Sequence, residues 1–449
     1  MRGQEHPKPR AAFLPFGYPG YPPELLERFT RQSSKLIESL NIEIVSPLDP
    51  IITYEDARQA NGKLERIDVD FIIILILSWV EAPNVITALG DNFHKPILLW
   101  SHTTWEEGGE ILTLGPIPGA GVVRGALEQW GANFKFIYGQ PDSARVREEM
   151  AIFARAACAR RALSRAKIGL LGYISMGMYP ATFDHVSIRR DIGPEIDQLD
   201  QYILVKKTEE VEDSAVSELV AKARQEWEIT PAVSEANLVR AMKMYLALKD
   251  IATERGWDAL TVKCQYELSI HYGFTPCVPL SMIGDEITAS CEGDVPLIVT
   301  QLLMRYLMDK PSAISYGDVH DPREESILFG ACGYAPFCLA AGKPKVDKHT
   351  ALYEGLLNST IYKEGRVTLA RLSADSLAGY RIHVVTGEAK TPPPFHELGC
   401  PPYPSMEVFL DVPVDDFMQR LGSQHYALAY GDLRPELEEF CDLMGIPMV

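Results

Sequence analysis

The sequence contains no GxGxxG turn, no P-loop, no Gly-x-Ser-x-Gly elbow, no CxxC pair and no apolar run of membrane-spanning length. Each absence removes a class. The loop after the first apolar segment, Gly17-Tyr18-Pro19-Gly20-Tyr21-Pro22-Pro23, matches neither phosphate-cradling pattern, so nucleotide binding is unsupported. Ser175 lies in Gly172-Tyr-Ile-Ser-Met-Gly177, whose glycines are wrongly spaced for a serine hydrolase. The eight cysteines are scattered, which indicates neither a zinc knuckle nor a dithiol redox motif. They read as reduced, mostly buried thiols of a cytoplasmic protein. Basic charge is also short: 43 Lys+Arg against 61 Asp+Glu leave a net charge of -18. No basic stripe is available to neutralise phosphates, so no nucleic-acid partner is expected. The N-terminal MRGQEHPKPR is followed by no apolar stretch of the signal-peptide kind. The run Phe71-Ile-Ile-Ile-Leu-Ile-Leu-Ser-Trp-Val80 is about half the length a bilayer requires. It reads as a central parallel strand buried on both faces, and no membrane partner is expected.

What is present is the composition of a globular chain, 46% hydrophobic and 23% charged, whose 449 residues predict two or three domains. Residues 1–165 alternate strand-like segments (Ala11–Phe16, Ile42–Val45, Asp68–Trp79, Ile97–Trp100, Phe134–Tyr138) with helical ones (Pro22–Leu40, Gly119–Trp130, Asp142–Arg165). That rhythm predicts an α/β domain with a mostly parallel sheet and helices on both faces. Lys167–Ile174 restarts the rhythm. A second α/β domain is expected over 166–345, with strands at Ile203–Val205 and Asp258–Cys264, helices at Glu210–Trp227 and Ser234–Arg255, and Ile327–Ala331 completing it. From 346 to 449 the strand-like Arg366–Leu372, Gly379–Thr386, Ser405–Leu410 and Gln424–Tyr430 predict a β-rich third domain. Pro401-Pro402-Tyr403-Pro404 reads there as a stiff loop.

Two short apolar segments end in carboxylates: Cys291-Glu292-Gly293-Asp294-Val295, and Ser315-Tyr316-Gly317-Asp318-Val319-His320-Asp321. The amphipathic stretch Pro296–Met308 between them is long enough for about three helical turns. Strand, helix and strand could bring Glu292 and Asp318 to one rim of a sheet. There they could bind a divalent cation, move a proton on a substrate carbon, or both. Each alone reads equally as a helix-start or turn carboxylate; their repetition favours a site. Among the ten histidines, His349, His383 and His396 lie in polar or Pro-rich segments and read as surface residues. His320 would share the face of Asp318 if the strand continued. His425, in Gln424-His425-Tyr426-Ala427-Leu428-Ala429-Tyr430, carries a polar group into an apolar strand. A neutral imidazole with two carboxylates is a donor set suited to Mn²⁺ or a related divalent ion. A cysteine nucleophile at Cys291 or Cys332 remains open.

Ser175-Met176-Gly177 with Asp184, Lys263-Cys264-Gln265, Cys291-Glu292-Gly293-Asp294, Gly317-Asp318-Val319, and Gln424-His425-Tyr426 with Gly431-Asp432 follow one another in this order. In that combination the chain resembles the L-fucose/L-arabinose isomerase family. The resemblance implies two Rossmann-like doubly wound α/β domains and a β-rich C-terminal domain, assembled as a homo-oligomer. It implies Mn²⁺ bound by Glu292, Asp318 and His425, with Glu292 and Asp318 also catalytic. It places Gln265, Gln424 and Met176 on the sugar and matches Trp100 to an aromatic lent to a neighbouring subunit. A carboxylate that takes the C2 proton of an open-chain aldose, and an acid that returns it to C1, would complete an aldose–ketose isomerisation. The sugar is expected to be unphosphorylated, with five or six carbons, or a modified relative. The same site also admits a lyase or epimerase, and the scaffold a sugar-binding protein without catalysis. The chain departs from the family where Phe16-Gly17-Tyr18-Pro19 offers no arginine and where Ala331-Cys332-Gly333-Tyr334 replaces a common His-Cys-Gly-Asn.

Overall fold

The run Phe71–Ile76 is a strand whose six residues are all buried, as a β-branched segment covered on both faces should be. The computed structural model describes residues 7–46, 49–310, 312–349, 355–377, 379–396 and 403–449. The chain divides into two compact units, 7–161 and 162–449.

The first unit is built on five parallel strands, β1 (Arg10–Phe16), β2 (Glu43–Ile44), β3 (Phe71–Ile76), β4 (Ile97–Ser101) and β5 (Phe134–Tyr138), in the order β2-β1-β3-β4-β5. Ala11 pairs with Phe71 and Phe16 with Ile76, so the apolar run lies beside an equally buried neighbour. Ile72, Ile74 and Ile76 then share one face with Leu14, Phe16, Ile97 and Leu99. Each such side chain contributes roughly 1.5–3 kcal/mol by leaving water. Two helices that the βα rhythm does not predict, Tyr54–Leu64 and Ala82–Leu89, cover part of this core.

The second unit opens with a four-stranded parallel sheet: β6 (Lys167–Leu171), β7 (Glu195–Leu199), β8 (Ala259–Val262) and β9 (Thr288–Cys291), in the order β9-β8-β6-β7. Here the sequence reading needs correction. Ile203–Val205, expected as a strand, lies inside the helix Gln201–Glu210, which Asp200 caps by accepting from the Tyr202 N–H at 2.8 Å. The strand is β7, a polar edge segment whose partial burial leaves no apolar signature.

A second correction matters more. β10 (Ser315–Pro322) and β11 (Ser326–Gly330) do not extend the parallel sheet. With β12 (Gly365–Asp375), β13 (Gly379–Lys390), β14 (Ser405–Leu410) and β15 (His425–Tyr430) they close an antiparallel barrel, in the order β10-β11-β14-β13-β12-β15. Strand–helix–strand in the sequence describes a parallel crossover and a step between two sheets equally well. Pairing decides: Ser315 lies opposite Leu428 and Asp318 opposite His425. Ile327, Phe329, Leu369, Val385, Val408 and Leu428 fill the barrel core. His383 and His349, read as surface residues, are buried. His383 faces inward on β13, with Nδ1 2.7 Å from Tyr426 Oη. Pro401 and Pro402 lie outside the described residues. The helix Val295–Leu307 packs against strands of both the sheet and the barrel, which is why nearly all of it is buried. No helix among the described residues is long and apolar enough to cross a membrane.

Candidate active site

At the end of β9 the backbone turns left-handed twice, at Glu292 (φ 69°) and Gly293 (φ 68°). A Cβ on Gly293 would overlap the carbonyl oxygen of Tyr173, so glycine is required there. Glu292 has a Cβ and adopts the same conformation at a cost of roughly 1–3 kcal/mol. The loop after β6 carries a left-handed Met176 (φ 49°) and the loop after β8 a left-handed Tyr266 (φ 71°). Strain therefore collects at the carboxyl ends of β6, β8 and β9, the edge at which open α/β sheets place their ligands.

Asp294 joins this edge to the barrel. Its Oδ1 accepts from the Leu297 N–H at 3.0 Å and caps the buried helix. Its Oδ2 accepts from Arg371 at 2.7 Å and lies 2.9 Å from His425 Nδ1. Arg371, Asp294 and His425 are all fully buried. Burial alone would raise the Asp294 carboxyl, but Arg371 and His425 outweigh it and hold it at about 2. An ionised Asp294 fixes the proton on Nδ1 and turns Nε2 outward as the free ring nitrogen.

Nε2 of His425 lies 3.3 Å from Glu292 Oε2 and 3.2 Å from Asp318 Oδ1. Neither contact has hydrogen-bond geometry, so this buried nitrogen has no hydrogen-bond partner. One imidazole nitrogen and two carboxylates around a common point, with the imidazole braced from behind by a carboxylate, is a donor set that fits a divalent cation of the Mn²⁺ type. Burial chiefly pushes Glu292 up to about 7, against the pull of His425. Burial also opposes charge on His425, yet Asp318, Asp294 and Glu292 together raise it well above the ordinary imidazole range. A cation coordinated by Nε2 would take the place of that second proton.

A sequence model of the L-fucose isomerase C-terminal domain matches residues 350–449, the segment that carries Arg371 and His425. Relatives align along most of the chain. A sulfoquinovose isomerase of Alkalicoccus urumqiensis is 25% identical over 392 residues, 85% of this chain and 86% of that protein. One of Priestia aryabhattai is 22% identical over 456 aligned positions, 97% of each chain. One of Clostridium sp. (strain MSTE9) is 23% identical over 446, covering 97% of this chain and 98% of that protein. The C-terminal segment is thus similar to the C-terminal domain of L-fucose isomerase, and the chain along most of its length to sulfoquinovose isomerases.

The remaining sequence candidates divide. Gln265 is at the cluster: its Nε2 donates to Cys332 Sγ at 3.9 Å, and Cys332 in turn donates to Glu292 Oε1 at 3.6 Å. Its buried Oε1 has no partner. Gln424, one residue before His425, has its Nε2 2.7 Å from Met178 Sδ and its Oε1 bonded by Ser423. Met176 is 44% exposed on the β6 loop. Trp100 is different. It is fully buried inside the first unit, where its indole N–H donates to the Gly139 carbonyl at 2.9 Å. Within the chain it is a core residue of its own unit. His320 does not join Asp318 either. The β10–β11 register shifts between Val319 and Asp321, and the His320 ring packs 5.8 Å from Phe395.

Sequence reasoning missed the roles of Arg371 and Asp294. A signal existed for Arg371: it is a lone charge in the apolar run Val367-Thr-Leu-Ala-Arg371-Leu372. Asp294 was visible only as a helix cap, and nothing local to it indicates that Oδ2 serves a second purpose.

Proposed function

We propose that this enzyme interconverts an aldose and a ketose through an enediol, with Mn²⁺ or a related divalent cation held by Glu292, Asp318 and His425. The observation that carries the reading is the buried Nε2 of His425, in contact with two carboxylates at 3.2 and 3.3 Å without hydrogen-bond geometry to either. When bound, the cation supplies Lewis acidity towards the sugar's carbonyl and adjacent hydroxyl oxygens. The protein supplies the proton chemistry. Glu292, buried and turned towards the His425 cluster, is the carboxylate that takes the proton from one carbon and returns it to the other. Asp318, with a side chain 25% exposed, is the second carboxylate on the reacting carbons. Arg371 and Asp294 hold the imidazole in one orientation. Gln265 and Gln424 offer amides, and Met176 a thioether, to the sugar.

The relatives named sulfoquinovose isomerase make a sulfonated hexose the first substrate of choice. The absence of arginine from Phe16-Gly17-Tyr18-Pro19 is in keeping with a sugar other than fucose. The free thiols of the seven described cysteines support a cytoplasmic setting. Assembly as a homo-oligomer is carried over from the family.

The test is turnover of EDTA-stripped, Mn²⁺-refilled enzyme on sulfoquinovose and a panel of pentoses, hexoses and deoxysugars, followed by NMR in D₂O. Ketose product with deuterium at C1 or C2 is expected. Glu292→Gln and Asp318→Asn should each lower kcat by roughly 10²–10⁴-fold. Undiminished turnover in both variants would reject the assignment, and cleaved or epimerised products would move it to a lyase or epimerase.

A further inference from the structure

Glu292 faces two donor sets. Its Oε2 is turned to His425 at 3.3 Å, while its Oε1 lies 3.6 Å from Cys332 Sγ. The thiol side is populated because β8 and β9 run parallel with Val262 opposite Cys291, which brings Cys264, two residues beyond β8, beside the end of β9. The sulfurs of Cys264 and Cys291 and a carboxylate oxygen of Glu292 all lie within 4.8 Å of one another, and all three residues are buried. The Cys291 sulfur is 2.7 Å from Tyr316 Oη. Beside Cys332, the Gln265 Oε1 is buried with no partner.

Donors around a tetrahedral ion with 2.3 Å metal–sulfur bonds stand about 3.8 Å apart, so a contraction of less than about 1 Å would close this group on an ion. Thiolates are soft ligands that favour Zn²⁺ or Cd²⁺, whereas oxygen and imidazole donors suit Mn²⁺. We propose that Cys264, Cys291 and the Glu292 carboxylate form a second cation site, selective for a thiophilic divalent ion, whose occupation withdraws Glu292 from the His425 cluster and inhibits the enzyme. Each ligating thiol releases its proton to solvent, and Cys332 or a water completes the coordination. The inhibition rests on the isomerase reading given above; the binding does not.

Cd²⁺ is the probe, because thiolate ligation gives an ultraviolet sulfur-to-cadmium charge-transfer band. Full-length EDTA-stripped protein titrated with Cd²⁺ should develop this band, saturating at about one ion per chain by elemental analysis. Cys264→Ser and Cys291→Ser, checked for folding by circular dichroism, should each lose the band and bind at least about tenfold more weakly, a change of about 1.4 kcal/mol. Cys338→Ser, at an exposed cysteine outside the cluster, should keep it. Zn²⁺ should inhibit Mn²⁺-loaded enzyme, and Cys264→Ser should need about tenfold more Zn²⁺ for the same inhibition. No band in the wild-type protein, or a band unchanged in both serine variants, overturns the site. A band with no turnover on any sugar upholds the site and rejects the isomerase reading instead.

Discussion

The two parallel sheets of this chain share a geometry and differ in what they bury. Around β1, β3 and β4 the core is aliphatic and aromatic. Among the described residues the buried polar side chains of that unit are serines, threonines, asparagines and His102. Beyond β9 the second unit buries Glu292, Asp294, Arg371 and His425 within a few ångströms of each other. Left-handed non-glycine backbone follows the same division. Among the described residues the first unit has it only at Asn41, where a helix has just ended and asparagine tolerates it, whereas the second has it at Met176, Tyr266 and Glu292. The difference teaches that charge and strain are tolerated together, at one sheet edge, where each charge has a partner. A buried ion is costly alone and acceptable when paired. Asp294 satisfies that condition for both Arg371 and His425.

The comparison can be broken most severely at Asp294. Asp294→Ala removes the partner of a fully buried guanidinium and should destabilise the protein by about 3–5 kcal/mol in urea unfolding. It should also free the His425 ring and weaken Mn²⁺ binding by about 10–100-fold in calorimetric titration. Asp294→Asn keeps a good helix cap while losing the charge, and should fall between alanine and wild type in stability. A loss below about 1 kcal/mol for the alanine variant would mean that Arg371 finds other partners and that the contrast between the two sheets is superficial.

Among the described residues of the first unit one imidazole is buried, His102, and acid should act through it. Burial presses His102 from 6.5 down to about 3. The folded protein therefore refuses a proton that the unfolded chain accepts below pH 6.5. The stability held by neutral His102 is complete above about pH 6.5 and is lost as pH falls towards 3, at up to about 1.4 kcal/mol per pH unit. From pH 7 to pH 5 that is about 2 kcal/mol, readable as a fall in the urea midpoint that His102→Gln should flatten. His383, lowered to about 4 by burial first and then by Arg420, Arg381 and Arg434, adds a similar slope from the barrel. Because the raised Glu292 and His425 slope the other way, the test is the difference between variant and wild type: an unchanged pH dependence in His102→Gln would contradict the burial.

Much of this was legible in the sequence, unevenly. The apolar run at 71–76 announced its strand because a doubly covered strand leaves a continuous hydrophobic signature. Edge strand β7, Glu-Ile-Asp-Gln-Leu, left none, and the apolar run Ile203–Val205 nearby drew the strand assignment to a helix. Glu292, Asp318 and His425 were recognisable as residues, and the structure brings all three to one point. How they meet was not recognisable, since Asp318 reaches His425 across a barrel pairing more than a hundred residues distant in sequence. Arg371 and the inward turn of His383 depend on the same closure. Long-range pairing was the missing information, not local propensity.

The smallest expected effect sharpens the comparison furthest, because it sets one helix cap against another. Thr53 opens the helix Tyr54–Leu64 with a capping box: its side chain accepts from the Asp56 N–H at 3.2 Å, and Asp56 Oδ2 accepts from the Thr53 N–H at 2.9 Å. Both side chains are near solvent, and the other bond of Asp56 Oδ2, accepted from the Ile52 N–H at 3.2 Å, does not involve the Thr53 side chain. Thr53→Ala should therefore cost only about 1 kcal/mol, the ordinary worth of a cap. Asp294 caps its helix by the same kind of bond. Subtracting the Thr53 loss from the Asp294→Ala loss, both measured by urea unfolding, leaves about 2–4 kcal/mol for the contacts of Oδ2 with Arg371 and His425. A remainder near zero would make Asp294 a helix cap and nothing more. A remainder of the expected size, recovered largely in Asp294→Asn only if Arg371 is also made neutral as Arg371→Met, would assign it to the buried charge pair and not to helix geometry.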